Sequence, residues 1–419
     1  MVQNFRVALA DRVYYGWVVA VACFVASVAV FGTTYAFGVF YNAFIAEFGA
    51  SRSVLAFVFG LQTAVLYTAA VGAGRVIERY GQRRVAAASG ATLVAGLVWT
   101  AFARSYVELL VAFGVMAAIG MSGLYIVGYA TLPAWFKRRR GAATGLASAG
   151  LGVGLVVIPP GADYAVSAFG WRSAMLLLAA AVGLMSIVVV SLFADDPADV
   201  GADLGVEFPD GDAAATDDGD AGSNERGYLG AMLRSPGFWL VFVGWLLVFA
   251  PLFAVLSHVV LHADDVGIGR SIGVLAIAVV GGTTTLARFG IGLLSDHFGR
   301  VATFVACSVL LGAATVGIGV VSTTGLFLAF VVALGVGYGG CGGLLGAVTA
   351  DVFGDRSLNT LFALLSVSFS VSGLASPFLA GFWFEFAGSY RIAFVVAGLL
   401  GVLGAGTMWL GVRVHGRGV

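Results

Sequence analysis

A chain of 419 residues that is 60% hydrophobic and 11% charged is too apolar for a water-soluble fold, in which charged residues make up about a quarter of the chain. A formal net charge of zero argues against nucleic-acid partners, which need a basic surface to hold phosphates. The three cysteines, Cys23, Cys307 and Cys341, all lie in apolar runs; this argues against disulfides and paired-cysteine zinc sites and leaves them as small packing residues.

Runs near the roughly 20 apolar residues needed to cross a bilayer recur along most of the chain. They fall near 15–40, 52–75, 84–103, 106–133, 141–166, 171–193, 236–262, 270–294, 300–322, 325–351, 358–385 and 390–413. The stretch before the first run is short and charged up to Arg12, and the run is too long for a signal, so it is expected to stay as an anchor. With the N-terminus cytoplasmic, sixteen basic residues fall on that side and five on the other. The positive-inside rule then puts both termini in the cytoplasm.

Between the sixth and seventh runs lies a segment holding eleven of the twenty-two acidic residues, from Asp195 to Glu225. It has too little apolar surface to fold and reads as a disordered linker over 195–235, a regulatory or partner-binding loop being the sharper alternative. The flanking parts, 1–194 and 236–419, repeat. GRVIERYGQRR at 74–84 aligns with GLLSDHFGR at 292–300, and the same offset of 218 carries Pro159 onto Pro377 and Gly170 onto Gly388. The expected fold class is an all-α membrane protein of 12 transmembrane helices in two pseudo-symmetric six-helix bundles, an arrangement used by secondary transporters.

Within the eighth run, Gly281, Thr284, Thr285, Arg288 and Gly292 share one helical stripe, while Leu275, Leu286, Phe289 and Leu293 lie opposite. A guanidinium in mid-span should face protein or a water-filled cavity. Its planar fork matches a carboxylate bidentately. The bland reading is a snorkelling anchor, about 12 Å from Asp296 by helical rise.

The Gly-bracketed basic loop after the second run of each half resembles the signature of the major facilitator superfamily. YYGWVV at 14–19, YAFGVFYNAFIAEFGASRS at 35–53, AWFKRRRGAATGLASAGLGVG at 134–154, LARFGIGLLSDHFGR at 286–300 and PFLAGFWFEFAGSYRIAF at 377–394 are similar to its monocarboxylate transporter and oxalate/formate antiporter branch. The resemblance implies that Arg288 binds a substrate carboxylate and that Tyr35, Tyr125 and Tyr338 line the cavity; each tyrosine equally suits ordinary packing. It also assigns Glu78, Arg79, Arg83, Asp296 and Arg300 to cytoplasmic gating, with Glu78 in place of the usual aspartate.

Two departures bear on coupling. The aspartate that proton-coupled members place one turn before the arginine is Thr284 here. The lysine that oxalate carriers place in the eleventh helix is absent from a span holding Ser366, Ser368, Ser370 and Ser372. Ser368 is a candidate neutral donor in its place, or a helix-packing serine. A single intramembrane cation suits a monovalent anion better than a dianion. If Arg288 has no acidic partner in the bundle, the empty carrier would be costly to reorient, which favours exchange.

His258 and His262 are spaced i, i+4 at the outer end of the seventh run. They read as solvated polar residues, with His258 also a candidate substrate or proton ligand; no metal site is expected. GLGVG at 150–154 and GVGYGGCGG at 335–343 lack the strand, turn and helix of a dinucleotide loop and read as close helix packing.

The reading is a secondary active transporter in the plasma membrane, moving a small organic anion, most simply a monocarboxylate, by exchange or proton-linked symport and working as a monomer without cofactors. A proton-coupled exporter of drugs or other organic solutes is the rival within transport; Asp163 and Asp351 sit too near span ends to serve it well. A non-transporting membrane sensor on the same fold would want a large folded cytoplasmic domain. An enzyme is not expected, because the spans hold no nucleophile and base pair or HExxH run.

Overall fold

The computed structural model describes residues 14–132, 135–136, 139–194, 221–354 and 358–415. Among them every regular element is a helix. Hydrocarbon offers no partner to a bare N–H or C=O, and a helix satisfies both within one segment.

The first half contributes α1 (Gly16–Phe48), α2 (Arg52–Tyr80) and α3 (Gln82–Phe102). Then comes α4, over 106–130, whose Leu110–Ala117 stretch is π-helical. Next is α5 (Arg140–Leu192), a run of 53 residues interrupted at Gly170, where φ is 78°. At about 1.5 Å per residue such a run is more than twice as long as a hydrocarbon core of about 30 Å is thick. Divided at Gly170, it has the length of two crossings. The second half contributes α7 (Pro236–Asp265), α8 (Arg270–Phe298), α9 (Arg300–Val320), α10 (Thr324–Phe353), α11 (Leu358–Ala387) and α12 (Arg391–His415). Among the described residues, eleven helices are long and apolar enough to cross a membrane, α5 counted once.

The segment expected to be disordered departs from that reading at its end. Ala221–Arg234 forms a helix, α6, and the Tyr228 hydroxyl donates to the Phe353 carbonyl at the end of α10, 2.6 Å away. Its sequence AMLR before Ser235 carries little of the acidic charge that marks the linker; most of that charge falls in 195–220, outside the described residues.

The internal repeat is visible in the backbone. Gly81 and Gly299 both have left-handed φ, 82° and 84°; so do Gly170 and Gly388, at 78° and 68°, and Gly49 and Gly267, at 59° and 78°. Each pair lies 218 residues apart. These are tight turns between consecutive helices, where a side chain would clash and glycine does not. Pro159 and Pro377, at the same offset, both sit inside helices.

Packing divides the chain differently from the repeat. One compact unit joins Met1–Ala36 to Thr68–Thr216, and the other joins Phe37–Tyr67 to Asp217–Val419. The second half of α1 and the first half of α2 therefore pack in the unit of the C-terminal helices. Repeat boundaries record which residues correspond, whereas packing records which ones touch.

Candidate functional site

The α8 stripe is arranged as its spacing predicts. Leu286, Phe289 and Leu293 are 74%, 52% and 73% exposed, bare apolar surface that suits lipid, while Gly281 and Thr284 are buried and Arg288 is half-buried. The Arg288 guanidinium lies over the Tyr338 ring on α10, 5.9 Å from its centroid, within reach of a cation–π attraction. The glycines of GVGYGGCGG make this approach possible. A methyl group on Gly342 would come within 2.9 Å of Arg288 Nη2, and one on Gly343 within 3.5 Å of its Cγ. One turn away, a methyl on Gly339 would meet the Thr284 carbonyl at 2.6 Å. That run is thus a packing surface shaped to the α8 arginine.

Behind Tyr338 the aromatic contacts continue. Phe249 of α7 meets the Tyr338 ring edge-on at 6.3 Å and Phe369 of α11 at 4.8 Å. Phe369 in turn stacks on Trp245 at 5.7 Å and meets Tyr67 at 5.3 Å. An apolar wall beside one fixed cation is a common composition for a small-ligand pocket. Phe249 and Phe369 were not legible as neighbours of Tyr338, because aromatics in apolar spans are ordinary core.

Thr284, which replaces the family's aspartate, is fully buried and donates to the Gly335 carbonyl at 3.1 Å, so its hydroxyl is committed to α10. Ser368 is also fully buried, and its Oγ has no hydrogen-bond partner among the described residues; Ser372, one turn on, is in the same position. Buried hydroxyls elsewhere in the spans commonly return their hydrogen to the i−4 carbonyl, as Ser366, Thr315 and Thr349 do. A buried hydroxyl without a partner costs about 1–3 kcal/mol. Ser368 and Ser372 therefore stand out as donors available to a ligand. Tyr35 and Tyr125 belong to the other compact unit: Tyr35 is 2% exposed, and Tyr125 is half-buried with its ring edge-on to Phe31 at 6.0 Å.

The expectation that His258 and His262 are solvated is corrected. Both are buried, at 0% and 1% exposure: Tyr41 of α1 and Tyr390 of the α11–α12 connection meet the His258 ring, and Phe327, Tyr390 and Phe394 meet that of His262. His258 Nε2 lies 2.9 Å from the Pro377 carbonyl and Nδ1 lies 3.0 Å from the Tyr390 hydroxyl. His262 Nε2 lies 3.0 Å from the Ile318 carbonyl. Tyr390 also accepts from Arg52 Nη1 at 3.4 Å. Arg52 forms a two-pronged ion pair with Asp265, whose Nη2 to Oδ1 distance is 3.0 Å, and its guanidinium sits 3.9 Å over the Phe384 ring. Burial pushes the Tyr390 phenol well above its ordinary range, against the lowering pull of Arg52. The hydroxyl therefore stays neutral and able to donate.

The residues of the two Gly-bracketed basic loops make local contacts. Arg83 Nε donates to the Val190 carbonyl of α5 at 3.2 Å. Arg79 is exposed and stacks over Tyr80, 5.4 Å from its centroid. Arg300 pairs with Asp351 of α10 at 2.9 Å. The side chains of Glu78 and Asp296 lie outside the described residues.

A family model described as Major Facilitator Superfamily matches residues 22–289 and 263–419. The chain belongs to the Major Facilitator Superfamily. It is a multi-pass membrane transporter and not an enzyme, and among its similar relatives are monocarboxylate transporters. Mouse monocarboxylate transporter 11 is 28% identical over 392 residues, covering 91% of this chain and 84% of the relative. Rat monocarboxylate transporter 3 is 28% identical over 390 residues, covering 92% and 77%. The Aspergillus flavus protein named MFS transporter asaE is 24% identical over 413 residues, covering 96% and 88%. A bacterial homologue of the human lysosomal transporter Spinster, solved inward-facing and unoccupied, superposes with a TM-score of 0.76 at 18% identity, covering 96% of this chain and 98% of that one. Its likeness supports the fold alone.

Proposed function

We propose that this superfamily member carries a small organic anion, most simply a monocarboxylate, across the plasma membrane by alternating access of the halves 1–194 and 236–419, with both termini cytoplasmic. The observation that carries the reading is Arg288, a mid-span guanidinium held against Tyr338 and Gly342. A permanent cation kept in an apolar span is costly unless an anion or water meets it. A carboxylate would take its two parallel N–H groups. Ser368 and Ser372 supply neutral donors, and the wall of Phe249, Phe369 and Trp245 suits a short alkyl or keto chain. The names of the mammalian relatives favour the same class of cargo.

Movement by exchange fits the replacement of the carboxylate at position 284 by a threonine whose hydroxyl is already used. Proton-linked symport needs another proton site. Arg83, Arg300 and their loop neighbours Glu78, Arg79 and Asp296 are proposed to act at the cytoplasmic side.

The test is counterflow in proteoliposomes preloaded with formate, acetate, lactate, pyruvate or oxalate, comparing the native protein with Arg288→Gln. Entry of labelled monocarboxylate that disappears in the variant is the expected result. Entry indifferent to Arg288, or none with any carboxylate, overturns the reading.

A further inference from the structure

The unit that contains Arg288 is closed at one end by helices from the other half of the sequence. Phe37–Tyr67, the end of α1 and start of α2, packs with α7 and α11. Glycines allow bare helix contacts there. A methyl on Gly38 would meet the Ser257 carbonyl at 3.3 Å, one on Gly60 the Leu374 carbonyl at 2.8 Å, and one on Gly381 the Ser53 Cα at 2.9 Å. Such faces can part without disentangling side chains. What holds them is polar: the Arg52 to Asp265 ion pair, Ser53 N–H on Glu385 Oε1 at 2.9 Å, Arg270 Nη2 on the Val39 carbonyl at 2.8 Å, and His258 at the centre.

Around His258 the donors point one way. Arg52 donates to Tyr390, the Tyr390 hydroxyl to His258 Nδ1, and His258 Nε2–H to the Pro377 carbonyl. That sequence requires a neutral imidazole carrying its proton on Nε2, the tautomer the carbonyl selects. Among the described residues the groups facing the ring are Tyr41 of α1, whose own hydroxyl is buried without a hydrogen-bond partner there, Arg52 of α2, His262 and Asp265 of α7, and Tyr390 of the α11–α12 connection. Glu385 of α11 is engaged with Ser53.

We infer that His258 is a proton-binding site that controls this outer closure: neutral, it holds α1 and α2 against α7 and α11, and protonated, it releases them. The proton enters from water at the Arg52 and Asp265 pair, whose side chains are 21% and 30% exposed. Tyr390 passes its hydroxyl proton to Nδ1 and takes one from outside, so the phenol ends neutral and the imidazole gains one charge. Nδ1 then donates to Tyr390 rather than accepting from it. The phenol oxygen faces two donors, and the imidazolium lies beside Arg52 with one carboxylate for both cations. Separation of the helices hydrates the new charge and relieves the conflict. Acid outside therefore favours the open outer side, and a proton site exists without a carboxylate at position 284. The inference rests on the transporter reading but not on the cargo.

The experiment is a distance measurement by spin labels at Ala46→Cys on α1 and Ser271→Cys on α8, both exposed positions, in full-length protein in nanodiscs without substrate. On going from pH 8 to pH 5.5 the native background should gain a longer-distance population, and His258→Gln should not. Tyr390→Phe, which cuts the donor chain without touching the imidazole, should show the longer distance already at pH 8. A native distance that ignores pH, a shift that persists in His258→Gln, or a Tyr390→Phe protein that behaves as native overturns the inference. Because no cargo is present, such a failure leaves the carboxylate reading to its own counterflow test.

Discussion

Arg288 lies over the ring of Tyr338, 5.9 Å from its centroid. The contact joins α8 to α10 and fixes where the cation points. A guanidinium positioned by an aromatic face loses less freedom on binding than one swinging from a bare helix, which is the preorganisation the proposed anion site requires.

If the fork of Arg288 grips a carboxylate with two N–H groups, charge alone is not enough. Arg288→Lys keeps the cation but loses the bidentate geometry, worth about 1.5–3 kcal/mol for a charge-assisted hydrogen bond. Counterflow should weaken roughly 10- to 100-fold in apparent affinity, and Arg288→Gln should abolish it. Equal activity in Lys and native proteins would reduce the residue to a point charge.

Two glycines of one sequence run should respond differently to alanine. At Gly342 the new methyl meets Arg288 Nη2, the free end of a long side chain, which can move aside. Gly342→Ala should weaken carboxylate binding about tenfold and leave the thermal midpoint in detergent nearly unchanged. At Gly339 the methyl meets the Thr284 carbonyl and the Ala287 Cβ at 2.6 and 2.7 Å, and a packed backbone yields poorly. Gly339→Ala should cost about 1–3 kcal/mol of stability, read as a lower thermal midpoint. Matching behaviour at the two positions would refute the packing geometry.

Hydropathy alone made the spans legible, since a lipid-exposed run must be long, apolar and helical. Arg288 was legible for the converse reason, a charge where charge is expensive. The repeat was read at Gly81 and Gly299 and at Gly170 and Gly388. Gly49 and Gly267 escaped notice because what they share is a backbone angle, not flanking side chains. The burial of His258 was not legible, because a polar residue near a span end is normally wet and only packing against α1 and the α11–α12 connection covers it. Helix α6 was hidden by composition averaged over the whole acidic segment.

The α6 helix meets α10 at the Tyr228 hydroxyl, and its Leu233 carbonyl accepts from Trp239 Nε1 of α7 at 2.8 Å. Tyr228→Phe removes the 2.6 Å bond to Phe353 O, a contribution of about 1 kcal/mol. Amide hydrogens of 228–234 should exchange roughly fivefold faster while those of α10 stay protected. An unchanged rate would mean that the helix is held by other contacts.

The Arg300 and Asp351 pair poses the opposite problem, a visible ion pair with little stability to contribute. Its side chains are 44% and 37% exposed, and solvent screens such pairs to about 0–1 kcal/mol. Asp351→Asn should therefore move the thermal midpoint very little. If the pair ties the start of α9 to the end of α10 during the transport cycle, the same substitution should change the counterflow rate, and the swap of Arg300→Asp with Asp351→Arg should restore it. The swap separates pairing from position, because each single charge reversal leaves two like charges facing across the same gap. A double variant no better than the singles would assign the two residues to topology alone, through the loop-charge bias that orients spans in a bilayer.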